Sequence, residues 1–154
     1  MAVEKILVAY NFARYERKGL DFVASTYAGR KDVKITLFNA YTPLPAVEMN
    51  GNPEMAKVRP GMASLSDELR QKESALKSCI DYLLENGFSQ DQLDYVFKAR
   101  EKSVADEILD MVSKGHYRVV VLSRQPTKVS RLFGRSVHSR ILSSIKDVTV
   151  CVAS

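Results

Sequence analysis

The residues best suited to chemistry lie in one basic tract. Between Arg124 and Lys146 the chain carries Arg124, Lys128, Arg131, Arg135, Arg140 and Lys146 and no acid, against a net charge of +5 for the whole protein. Serines interleave with these cations at Ser123, Ser130 and Ser136. Arginine beside hydroxyls suits an anion, because its planar fork grips a phosphate with two hydrogen bonds. The bland alternative is a solvated basic face. A second candidate group is aromatic: Tyr10, Phe12, Tyr41 and Phe133 fall near predicted strand ends, where they either stack on a planar ligand or pack as core and lid.

Other reactive residue types are scattered. His116 follows a helix-ending glycine and reads as a surface or capping residue, and His138 falls inside a short helix. Asp67 and Glu68 are placed at a helix start, where acids complement the dipole. Cys79 and Cys151 have no C-x-x-C or metal-ligand spacing and read as reduced core thiols of a cytoplasmic protein. No catalytic residue and no metal ligand is assigned. The chain lacks a G-x-x-x-x-G-K-[ST] loop, a G-x-G-x-x-G after the first strand and a G-x-S-x-G elbow. The expectation is a protein that is not an enzyme.

The elements that must position these residues follow from hydrophobic period. Strands are predicted over Val3 to Tyr10, Val33 to Tyr41, Leu93 to Ala99, Arg118 to Leu122 and Val148 to Val152, each a short apolar run rich in β-branched residues. Helices are predicted over Ala13 to Ala28, Leu65 to Asn86, Ser103 to Gly115 and Ser136 to Ser144. Thr42 to Met62 holds four prolines and two glycines and reads as a loop. At 154 residues the chain suits one domain, 1–154, with a real core. Strands that alternate with helices and are apolar on both faces imply a five-stranded parallel, doubly wound α/β sheet, Rossmann-like, with helices on both faces. Ligands of such sheets bind beyond the carboxyl ends of the strands, here Tyr10 to Ala13, Ala40 to Pro43 and the loop after Leu122. No apolar run is long enough to span a membrane, and the opening residues lack the long apolar run of a signal peptide.

Three stretches in order carry a family resemblance. KILVAYN (5–11) and ITLFNAYTP (35–43) are the first two. The third runs from SVADEILDMVSKGHYRVVVLSR (103–124) to SRLFGRSVHSRILSSIKDVTVCV (130–152). Ala105, Ile108, the Val119 to Val121 run, Ser123-Arg124, Ser136-Val137, Arg140 and the final strand match. The chain resembles the universal stress protein family, of the adenine nucleotide alpha hydrolase-like fold. Members that bind ATP carry glycine, two residues, glycine, nine residues, then glycine and Ser or Thr. Aligned here without gaps, those glycines fall on Leu122, Gln125 and Arg135, and only Ser136 fits. Sliding the last to Gly134 recovers a glycine but shortens the spacing and puts Arg135 before the Ser. The acid that faces adenosine in the family is Asn11 here, followed by Phe12-Ala13 in place of Gly-Ser. Ala40 holds the place of a residue whose backbone meets adenine.

The resemblance therefore implies a branch without the phosphate-cradling glycines. It implies a cytoplasmic homodimer paired through the C-terminal strand that answers stress by binding an unknown protein partner. No cofactor is expected, with ATP or another adenine nucleotide held at most at low affinity. The alternative within the fold is a phosphate-ligand module in which Arg124 and Arg135 replace the glycine cradle, with Asn11, Ala40, Ser123 and Ser136 around the ligand. Nucleic acid is disfavoured, because the tract lacks a recognition module and the net charge is modest. A pyrophosphatase or adenylyl-transfer role would need a phosphate signature that is missing.

Overall fold

The computed structural model describes residues 3–11, 17–43, 59–123 and 137–153. Its strands are β1 (Glu4–Ala9), β2 (Val33–Tyr41), β3 (Leu93–Ala99), β4 (Val119–Ser123) and β5 (Thr149–Ala153). Its helices are α1 (Arg17–Tyr27), α2 (Arg59–Glu85), α3 (Val104–Gly115) and α4 (Val137–Ser144). The five strands form one sheet in the order β3-β2-β1-β4-β5, and every pairing is parallel. The chain winds outward from β1 to β3 and then returns to lay β4 on the free side of β1. That reversal makes the switch point of the sheet, between β1 and β4.

Alternation along each strand divides the core in two. Ile6, Val8, Ile35, Leu37, Val119 and Val121 face Leu20, Val23 and Tyr27 of α1 and Leu76, Cys79 and Leu83 of α2. Leu7, Phe38, Ala40, Val120 and Leu122 face Ala105, Ile108 and Val112 of α3 and Ile141 of α4. The central strands are covered on both faces, which is why β1 and β4 read as unbroken apolar runs. The helices stop where the chain can turn left-handed: Gly29 after α1 (φ 86°), Gly87 after α2 (φ 103°) and His116 after α3 (φ 55°). His116 thus caps a helix and is exposed, as its place after Gly115 suggested.

Several boundaries differ from the sequence reading. The long helix begins at Arg59, six residues before Leu65. Pro60 and Gly61 look like breakers, but the first turn of a helix has no intrahelical use for its N–H groups and accepts proline. Asp67 and Glu68 are therefore well inside α2 and not at its start, and the Asp67 carboxylate accepts a 3.5 Å bond from Arg70. Strands β4 and β5 each end one residue later than expected, which puts Ser123 inside the sheet.

Candidate functional site

The candidate site is the carboxyl rim of the sheet around the switch point. At the end of β1, the Tyr10 amide donates to the Phe38 carbonyl at 2.9 Å, and the Asn39 side-chain amide donates to the Tyr10 carbonyl at 2.7 Å. Asn39 was not singled out from the sequence, since a lone amide in a strand gives no periodic signal. Because backbone groups alternate along a strand, Ala40, like Phe38, directs its N–H and C=O toward β1. The last paired rung there is Ala9 with Phe38, so Ala40 lies past the end of that ladder. Its methyl group is buried on the α3 and α4 face. Asn11 follows β1 and is exposed.

Ser123 ends β4 and is only 5% exposed. It lies under α1, so near that a Cβ on Gly19 would come within 2.6 Å of its Oγ. Leu122, one residue earlier, is 2% exposed and belongs to the core on the opposite face. Arg124, Arg135 and Ser136 lie outside the described residues, as do Phe12 and Phe133. Among the described aromatics, Tyr41 packs on Phe97 with ring centroids 4.5 Å apart, and Tyr10 packs into the core beside Cys79. Of the basic tract, Arg140 is spent on α3: its guanidinium donates to the Asp106 carboxylate at 2.9 Å.

The rim also holds a buried charge. Glu107 of α3 is 1% exposed. Its Oε1 accepts from the Glu101 and Lys102 amides at 3.1 and 3.3 Å, and its Oε2 pairs with Lys98 Nζ at 2.7 Å. The Lys98 ammonium, helped by the two amides, holds this carboxyl below the usual range against the opposing effect of burial. The turn it grips carries Arg100, whose amide donates to the Tyr41 carbonyl at 2.8 Å. The Arg100 side chain donates to Thr42 Oγ1 at 3.2 Å and to the Lys102 carbonyl at 3.2 Å. A signal for Glu107 existed: it sits on the stripe with Val104, Ile108 and Met111, where a carboxylate is out of place. Burial pushes the Cys79 thiol up, with a Tyr10 hydrogen bond opposing, and pushes Cys151 up as well; neither is poised as a nucleophile. Among the described residues no cluster of three or more His, Cys, Asp or Glu is arranged for a metal, and no helix is long and apolar enough to cross a membrane.

A five-stranded parallel sheet with helices on both faces and a rim at the β1/β4 switch point defines a doubly wound α/β protein of the Rossmann-like class. The chain belongs to the universal stress protein family, which it matches over residues 2–152. Solved structures agree. A universal stress protein in complex with cAMP superposes with TM-score 0.67 at 14% identity, covering 100% of this chain and 98% of that one. The universal stress protein of Archaeoglobus fulgidus in complex with dAMP gives 0.66 at 13%, covering 100% of both. UspA from Lactobacillus plantarum gives 0.70 at 13%, covering 100% and 99%. At these identities the likeness is one of fold. No curated protein sequence matches the chain significantly.

Proposed function

We propose that this protein is a dimeric, non-catalytic stress-response protein that acts by binding a protein partner in the cytoplasm and holds ATP weakly or not at all. The observation that carries the ATP reading is the end of β4. A glycine cradle lets backbone approach phosphates closely and adopt angles other residues resist. Here Leu122 fills the core on one face and Ser123 fills the space under Gly19 on the other. Each non-glycine residue forced into a left-handed conformation costs about 1–2 kcal/mol. Asn11 in place of an acid loses a charge-assisted bond, about 1 kcal/mol. A combined deficit of about 3–5 kcal/mol weakens binding by two to four decades. Calorimetry with ATP and magnesium is the test, and a dissociation constant near or below about 10 μM would overturn the reading.

The dimer reading rests on β5. It pairs with β4 on one side and is an edge of the sheet on the other, and Val152 on it is 40% exposed, an apolar edge of the kind that associates unless covered.

A second reading is favoured by Ala40. Its backbone N–H and C=O point past the end of the β1 ladder, where they suit the edge of a purine base. Two structural relatives are complexes with the adenine nucleotides cAMP and dAMP, which carry a single phosphate. A monophosphate needs less of a cradle than ATP, and Arg124 or Arg135 would supply its cation. Calorimetry with AMP beside ATP separates the two readings: AMP binding that exceeds ATP binding and weakens in Arg135→Ala supports the second.

A further inference from the structure

Three parts of the β3-to-α3 turn converge on one carboxylate. Glu107 reaches back from the first turn of α3 to accept from the Glu101 and Lys102 amides, and it pairs with Lys98 at the end of β3. Lys98 and Ala99 pair with Ala40 and Tyr41 of β2, and residue 100 extends that contact past the ladder: the Arg100 amide donates to Tyr41, and its guanidinium bridges Thr42 Oγ1 and the Lys102 carbonyl. Ala40, Tyr41 and Thr42 are thus backed by a turn whose own backbone donors are held by a side chain of the next helix. Ser103 adds the ordinary cap, accepting from Asp106, so Glu107 is not needed to start α3. A carboxylate withdrawn from water costs free energy unless its oxygens are satisfied. Here the pairing falls on the rim and not at the amino end of the sheet.

We infer that Glu107 is a positioning residue for the rim: by clamping residues 98–102 it sets Arg100 against Tyr41 and Thr42 and so fixes the Ala40 edge for a ligand. The ligand class is an adenine mononucleotide, and this part rests on the second reading above. Glu107 touches no ligand itself. It acts through the turn, so its loss loosens a local segment without unfolding the domain.

The test compares Glu107→Gln with Gly115→Ala. The second variant strains the far end of α3, where a Cβ would meet the Tyr117 ring at 2.3 Å, and it leaves the turn alone. Amide exchange by NMR is the first readout. Glu107→Gln is expected to speed exchange at Arg100, Glu101 and Lys102 by about tenfold or more relative to the central strands, whereas Gly115→Ala leaves that ratio unchanged. Equal ratios in the two variants overturn the inference. AMP affinity by calorimetry is the second readout, expected to fall about tenfold in Glu107→Gln alone. Faster exchange with unaltered AMP affinity overturns the positioning role. Should the wild-type protein bind no AMP, the mononucleotide reading fails, and the exchange ratio alone decides whether Glu107 clamps the turn.

Discussion

At the residue scale, Gly115 and Tyr117 show how little slack the α3 face of the core has. The Tyr117 hydroxyl donates to Thr36 Oγ1 at 2.9 Å, and Lys5 Nζ lies 4.5 Å from the ring centroid while donating to the Gly115 carbonyl at 2.6 Å. The ring is held from both sides, so a methyl group at position 115 has nowhere to push it. Gly115→Ala gains up to about 1 kcal/mol of helix propensity. It loses about 1–3 kcal/mol to overpacking, and a net loss of stability is expected in urea titration. Glu107 gives a second residue-scale prediction, with pH as the variable. Its folded pKa is depressed by Lys98, so its contribution is fully present above the unfolded value and is lost as pH falls through the lower folded one. Glu107→Gln is expected to cost about 1–3 kcal/mol at pH 7. The gap from wild type should then close in acid, once pH falls below the usual carboxylate range and Glu107 protonates. Asp106 and Asp110, also depressed by their partners, titrate in both proteins and cancel in the difference. A gap that stayed constant from pH 7 to acid would contradict the assignment.

At the element scale, α3 and α4 cover the same face of the sheet, over Leu7, Phe38, Val120 and Leu122, and Arg140 to Asp106 is an ion pair between them. Both side chains are substantially exposed, and such pairs contribute little. Arg140→Ala is expected to lower stability by less than about 1 kcal/mol in denaturant titration. A larger loss would mean that the pair orients α4. On the other face α1 is tied to α2 by the Tyr82 hydroxyl, which donates to Asp21 at 2.6 Å, and by Arg17 over the Tyr82 ring at 4.5 Å. These ties hold α1 where Gly19 meets Ser123. The helices were legible because their apolar stripes are long: Leu20, Val23 and Tyr27, then Leu76, Ile80 and Leu83, then Ile108 and Val112. The early start of α2 was not legible, because Pro60 and Gly61 carry the same residue types whether they break a helix or begin one.

At the scale of the whole molecule, the two edges of the sheet are β3 and β5, and they differ. β3 presents Asp94 and Lys98 to solvent, charges that blunt an edge, while β5 presents Val152. If β5 is the dimer edge, Val152→Lys should shift the protein toward monomer in light scattering at micromolar concentration. A wild-type monomer, or a dimer that ignores the substitution, would count against pairing through β5.

The order of strands and helices, the doubly wound class and the family were all in the sequence, because buried parallel strands and amphipathic helices impose local periods that survive without any partner. That Leu122, Gln125 and Arg135 are not glycines was equally visible, since backbone freedom is a property of residue type. Tertiary structure alone decided which side chains meet. It placed Ser123 under Gly19, gave Arg140 to Asp106, directed the Ala40 backbone past the end of β1, and buried Glu107 against Lys98 and two amides. Each joins residues from different elements, and no local period records a contact that exists only after the chain has folded back on itself.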